Sequence, residues 1–270
     1  MLVKQQIGCI QHLSAATPYE GGIIQMNPIL ETHQLTKVYR NNRGIRDISL
    51  QLHAGDVYGL LGPNGAGKTT FLKLITGLIR ADQGKITLFN GDLIDQFEEG
   101  MQHVGCMIES ADFYDFITAW QYLELVGRFY PNITDQRITE VLEVVGMIQV
   151  RKDKIKNYST GMKQKLALAA AILPNPKFVI LDEPTNGLDI EGTVMFRRLI
   201  KQLSEEHGTT FLISSHMIHE LEQLCNRVGI IVDGQLIQEG HVSDLLASGQ
   251  SLEQFYIHEL DCRKGGKESA

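Results

Sequence analysis

The 270 residues are 43% hydrophobic and carry a formal net charge of −7. That is enough apolar material for one sizeable α/β core, and it gives no general pull on DNA or RNA, whose nonspecific binding rests on Lys and Arg neutralising phosphates. No apolar run approaches the roughly 20 residues a bilayer-crossing helix needs, and Cys9, Cys106, Cys225 and Cys262 stand far apart without a paired CxxC, so neither a zinc site nor a disulfide framework is readable and a reducing cytosol fits.

Residues 1–25 are polar and lack periodicity. Gln6-Ile7-Gly8-Cys9 has the look of a lipoprotein cleavage box, but no apolar segment precedes it, which argues against secretion. Glu20-Gly21-Gly22 can be encoded by GAAGGAGGT, a strong ribosome-binding sequence shortly before Met26. We therefore expect a translation start at Met26, with residues 1–28 an extension without fixed structure. From Leu30 the pattern sharpens: 30–38 and 45–52 alternate apolar and polar residues as half-buried strands, joined by a turn at Asn41-Asn42-Arg43-Gly44. Tyr39, at the end of the first strand, is an aromatic in position to stack on a base.

Val57-Tyr58-Gly59-Leu60-Leu61 reads as a short buried strand, followed by Gly62-Pro63-Asn64-Gly65-Ala66-Gly67-Lys68-Thr69-Thr70 and an amphipathic helix from Phe71. Strand, glycine-rich turn and helix in that order make a P-loop: the glycines let successive backbone N–H groups face phosphate oxygens, and the helix adds its positive end. Lys68 is then a charged donor to the β- and γ-phosphates, Thr69 a magnesium ligand and Thr70 a further donor. Downstream, 85–89 and 103–108 read as strands, the second ending at Glu109-Ser110. Between it and the next strand lies a helical block, with helices at 119–130 and 135–145 capped by Thr118 and Thr134. Ser159-Thr160-Gly161-Met162-Lys163-Gln164 opens another helix, stopped at Pro174.

Phe178-Val179-Ile180-Leu181 is a run of the kind buried in parallel sheets, with Asp182-Glu183 at its carboxyl end, the side of open α/β sheets where ligands collect. A loop at Asn186-Gly187-Leu188-Asp189, a helix at 191–204 and a strand at 210–213 ending in Ser214-Ser215-His216 follow. A helix at 218–225, strands at 228–232 and 235–239, a short helix at 242–247 and a polar tail close the chain. Asp182 suits magnesium, Glu183 suits a general base for the attacking water, and His216 suits a hydrogen bond to the γ-phosphate.

In this order the signals resemble the nucleotide-binding subunit of an ABC transporter, over about Leu30 to Glu239. The resemblance implies an α/β fold of the P-loop NTPase, ABC ATPase type: a RecA-like core with an antiparallel β subdomain and an inserted helical subdomain at about 110–175. The nucleotide-binding domain would span 29–245, with a C-terminal helix and polar tail at 246–270. It also implies that Tyr39 stacks on adenine, that Gly62, Asn64, Gly65, Ala66, Gly67, Lys68, Thr69 and Thr70 hold the phosphates, and that Asp182 closes Walker B. By the same resemblance Glu183 is the catalytic glutamate, Asp189 the D-loop acid and His216 the switch histidine, with Lys68 assisting catalysis. ATP and Mg2+ are the implied ligands. ATP would lie between two subunits, either a homodimer or a paired ATPase, with Ser159 and Gly161 of one facing the P-loop of the other.

Two departures from the family pattern narrow the branch. Tyr158-Ser159-Thr160-Gly161-Met162 stands where LSGGQ is usual, and Glu109 stands where a glutamine usually approaches the metal. A glutamate keeps an acceptor but loses the amide donor and adds a charge. Together they look like the bacitracin-resistance and lantibiotic-immunity branch, whose ATPases carry this E-loop and work with polytopic membrane subunits. The expectation is therefore a cytoplasmic ATPase, peripheral on the inner face of the cell membrane, driving export of a peptide antibiotic. Coupling would run through Glu109 and the block at 110–150, where Phe113, Tyr114, Phe116 and Trp120 cluster. The alternatives are another ABC exporter, for lipid, polysaccharide or drug, and a soluble ABC ATPase acting on ribosomes or DNA. The acidic chain, without long coiled-coil insertions, speaks against the last, and no nucleic-acid partner is expected.

Overall fold

The computed structural model describes residues 27–109, 113–247, 251–254 and 256–257, so the expectations for 1–26, and for the polar tail from 258, lie outside the described residues. In chain order the strands are β1 (Leu30–Val38), β2 (Gly44–Leu52), β3 (Val57–Leu61), β4 (Gln83–Leu88), β5 (Gly91–Asp92), β6 (Val104–Met107), β7 (Phe178–Asp182), β8 (Thr210–Ser215), β9 (Arg227–Val232) and β10 (Gln235–His241). The helices are α1 (Lys68–Ile75), α2 (Phe97–Met101), α3 (Ala119–Gly127), α4 (Asp135–Val144), α5 (Thr160–Ile172), α6 (Ile190–His207), α7 (Ile218–Leu224) and α8 (Val242–Ala247).

The short apolar runs become the centre of the molecule. Strands β3, β7 and β8 are buried along their whole length, the signature of parallel strands covered on both faces. They sit in a six-stranded sheet of order β10-β9-β3-β8-β7-β6, parallel except for the β9–β10 hairpin at one edge. Alternation in β1 and β2 instead builds a second, antiparallel sheet of order β2-β1-β4-β5. Helix α1 is packed between the two: its Phe71, Leu72, Leu74 and Ile75 share one apolar cluster with Leu30, Leu35 and Ile48 of the small sheet and with Leu60 and Ile180 of the large one. The sheets are also stitched by backbone, Arg46 N donating to Gly234 O at 2.7 Å.

The other face of the large sheet carries the helices. Leu123 of α3, Ile138 and Leu142 of α4, Leu166 of α5 and Phe196 and Ile200 of α6 form a second cluster against Val179, Leu181 and Phe211. Thr118 caps α3 in a reciprocal capping box with Gln121, and Thr134 caps α4. Helix α3 stops at Gly127, short of the expected Tyr130. Strand β4 ends at Leu88 because Phe89 and Asn90 both take left-handed φ, 49° and 67°, and turn the chain into β5. Helix α2, five residues long, leaves too little periodicity to be read from sequence.

Glycine at 105 is required by the approach of α5 to β6. A Cβ there would lie 2.0 Å from the Ala171 carbonyl oxygen, which is backbone and cannot swing away. We expect Gly105→Ala to destabilise the fold by about 1–3 kcal/mol, seen as a lower urea midpoint at unchanged slope; an unmoved midpoint would show that the contact is loose.

Candidate nucleotide-binding and catalytic site

The turn between β3 and α1 is fixed by close approach. A Cβ on Gly62 would lie 2.4 Å from Ile231 O, and Gly67, at φ 109°, would drive one into Ile45 Cγ2 at 2.7 Å. The helix that follows has no side-chain cap on its first turn. Its N–H groups, and the positive end of its dipole, are therefore left for an anion. The Lys68 side chain is buried and turns back over the loop, donating to Gly62 O at 2.7 Å and to Pro63 O at 3.3 Å, with Glu183 Oε1 at 3.1 Å. Burying an ammonium is unfavourable unless it is paired, and these three oxygens supply the pairing.

The ends of β7 and β8 bring the remaining groups together. Asp182 and Ser214 are partners in the β7–β8 register, and Ser214 Oγ donates to Asp182 Oδ1 at 2.5 Å while Thr69 Oγ1 donates to Oδ2 at 2.8 Å. Glu183 leaves the strand with φ 48°, a conformation unfavourable for a residue with a Cβ. Its N–H is held there by Ser214 O at 3.2 Å and Ser214 Oγ at 3.0 Å. Glu183 Oε2 accepts from His216 Nδ1 at 2.8 Å. Its other oxygen, Oε1, is buried and makes no hydrogen bond, only the ion-pair approach of Lys68. A buried carboxylate oxygen whose one partner is the Lys68 ammonium has room for a further donor, a position a water or a ligand would satisfy.

Tyr39, Asn64, Gly65, Gly67, Lys68, Thr69, Thr70 and Glu183 line one polar cavity of about 310 Å³. Gly62 borders the same site through its carbonyl on Lys68, Asp182 through Thr69, and His216 through Glu183. Ala66 is buried under the turn. Ser159, Gly161 and Asp189 are not there: they line a separate cavity of about 610 Å³. Within it Ser159 caps α5 by accepting from Met162 N at 3.3 Å, and Asp189 caps α6 by accepting from Gly192 N at 2.7 Å. Glu109 is placed apart from both cavities. Its exposed carboxylate pairs with Lys73 of α1 at 2.5 Å, and its φ is 62°.

Sequence reasoning missed Arg43 and Gly44 at the cavity edge, which come in with the β1–β2 turn, and the part of Ser214 in holding both acids. A signal for Ser214 was available: a hydroxyl in an otherwise apolar buried run needs a partner. Cys106 and Cys225 are free thiols, burial pushes the Cys225 thiol well above its ordinary range, and no cluster of His, Cys, Asp or Glu able to hold a metal occurs among the described residues. A site that supplies one carboxylate and one hydroxyl, leaving phosphates and water to complete the shell, is the usual protein contribution to bound magnesium.

A parallel sheet with a P-loop after β3 and paired acids at the end of β7, with β8 between the two strands, is the frame of a P-loop nucleotide-binding protein. The ABC transporter family model matches residues 45–186. An ATP-binding subunit of an ABC transporter superposes with a TM-score of 0.77 at 25% identity, covering 86% of this chain and 99% of that one; a dimeric bacterial ABC transporter cassette does so at 0.71 and 24%, covering 79% and 98%. In sequence, an uncharacterised ABC transporter ATP-binding protein of Bacillus subtilis, YdbJ, is 42% identical over 78% of this chain and 69% of its own. The bacitracin transport ATP-binding protein BcrA of Bacillus licheniformis is 40% identical over 79% and 70%, and the linearmycin resistance ATP-binding protein LnrL of B. subtilis 36% over 86% and 76%. The chain belongs to the ABC transporter family, as an ATP-hydrolysing subunit.

Because Ser214 is fully buried and serves both acids, Ser214→Ala is expected to cost about 1–3 kcal/mol of stability through the lost bond to a charged carboxylate. Urea denaturation measures it, and an unchanged unfolding free energy would remove Ser214 from the account.

Proposed function

We propose that this chain powers an ABC exporter that removes a peptide antibiotic of the bacitracin or lantibiotic type, conferring resistance or immunity. The observation that carries this reading is the 40% identity to a bacitracin transport ATP-binding protein, joined to the glutamate at 109 in place of the family's glutamine. ATP would enter the cavity between Tyr39 and Lys68, with adenine on the Tyr39 ring and the triphosphate along the loop. Lys68 would then exchange Glu183 and the two loop carbonyls for phosphate oxygens. Magnesium fits the Thr69 hydroxyl and the Asp182 carboxylate, where it would neutralise phosphate charge.

Released from Lys68, Glu183 is free to accept a proton from the attacking water, its left-handed backbone fixed by Ser214 and its second oxygen held by His216. A carboxylate only accepts, so the His216 contact uses Nδ1–H; the ring must carry a second proton, on Nε2, to donate to phosphate as well. Ser159, Gly161 and Asp189 occupy the second cavity, which supports a head-to-tail pair in which this face closes on the partner's nucleotide.

No helix among the described residues is long and apolar enough to cross a membrane, so on this reading force reaches lipid through polytopic membrane subunits, with the ATPase peripheral on the inner face. The aromatic cluster divides to suit that role. Phe113 and Trp120 pack against the core, while Tyr114 and Phe116, 58% and 70% exposed, lie side by side on the surface.

Glu183→Gln is expected to retain ATP binding and to lower hydrolysis by about 10²- to 10⁴-fold, the range of a lost general base; an undiminished rate contradicts the assignment. Glu109→Gln should leave ATP affinity unchanged and alter antibiotic tolerance in a sensitive strain carrying the cognate membrane subunit. Unaltered tolerance would set aside the specialised branch.

A further inference from the structure

The loop after β7 and the loop after β8 are joined twice. The first link is His216 Nδ1 to Glu183 Oε2 at 2.8 Å. The second lies one helical turn further on: the Thr185 hydroxyl, two residues past Glu183, donates to Glu220 Oε2 on α7. His216 and Glu220 flank the start of that same helix, which begins at Ile218. The two links therefore close a ring that runs Glu183, Thr185, Glu220, α7 and His216. Helix α7 is seated by buried Leu221 and Leu224, with Leu221 in the main apolar cluster beneath β3 and β8, so it is a firm post for the second link.

The geometry points to Glu220 as a positioning residue for the Glu183–His216 pair. Glu183 sits at the start of a tight turn, with Asn186 N donating to Glu183 O at 3.2 Å and Leu188 N to Thr185 O at 3.1 Å. Its left-handed φ of 48° must be held from outside, because a residue with a Cβ relaxes away from it. Ser214 holds the N–H side of the residue, and Glu220, through Thr185, holds the chain that leaves it. Both partners are part-buried, where a hydrogen bond to a carboxylate is stronger than one between neutral groups. Neither Glu220 nor Thr185 lines the P-loop cavity, so the effect falls on the aim of the carboxylate and not on the grip on nucleotide.

This inference rests on Glu183 acting as the base. Steady-state ATP hydrolysis by the full-length chain tests it with Glu220→Ala, Glu220→Gln, Thr185→Val and Glu220→Ala/Thr185→Val. We expect Glu220→Ala to lower kcat about ten- to hundredfold at nearly constant KM, the loss expected from a misaligned reacting group. Glu220→Gln, which keeps a carbonyl acceptor for the Thr185 hydroxyl, should recover most of it. Thr185→Val should match Glu220→Ala, and the double variant should lose no more than either single one. Additive losses, or a Glu220→Gln variant as slow as Glu220→Ala, would overturn the positioning role, as would unchanged kcat in Glu220→Ala. Glu183→Gln run alongside separates the two readings: if it hydrolyses ATP normally the base assignment fails, whereas if it is inactive while Glu220→Ala is normal only this inference does.

Discussion

The Lys68 ammonium has to be neutralised inside the protein. It sits 6% exposed at the first residue of α1, and the fold answers it with two loop carbonyls and the carboxylate of Glu183. Holding those oxygens in place demands glycine at 62 and 67, the parallel strand β7, two places from β3 in the sheet, to deliver Glu183 to the right level, and a hydroxyl at 214 to keep Glu183 in its strained backbone. Every one of these partners is an acceptor that phosphate oxygens can replace. One carboxylate and two carbonyls thus hold the charge that a nucleotide would use, and the apolar packing of α1 between two sheets keeps that charge from escaping to solvent.

A second consequence follows from the register of the large sheet. Met107 pairs with Leu181, so Glu109 and Glu183 each lie two residues beyond a matched pair on adjacent strands, and both take left-handed φ. Each carboxylate meets a lysine of α1, Lys68 at its first residue and Lys73 in its last turn. The inner pair is nearly dry and the outer pair wet, with the Glu109 side chain 61% exposed. An exposed pair of this kind is worth about 0–1 kcal/mol, so the outer one can exchange partners readily while the inner one yields only to a strong anion.

Much of this was legible in the residues. The buried runs at 57–61, 178–181 and 210–213, the P-loop and the caps at Thr118 and Thr134 depend on local chemistry, and the structure forms each of them. What escaped depends on neighbours far away in the chain. Ser214 gains its role from the β7–β8 register, Arg43 reaches the cavity because one sheet folds over the other, and Glu220 meets Thr185 across 35 positions. Glu109 illustrates the reverse: its type was conspicuous in sequence, yet its Lys73 partner required the approach of α1 to the end of β6.

On the proposed reading, the Lys68 ammonium held by Glu183 and the loop is the group that grips the nucleotide's terminal phosphates for hydrolysis. ATP turnover by the full-length chain, compared between Lys68 and Lys68→Met, is the decisive measurement. Turnover should fall at least about 100-fold in Lys68→Met, the size of effect expected when one preorganised charge is removed from a transition state. Equal turnover by the two proteins would contradict it.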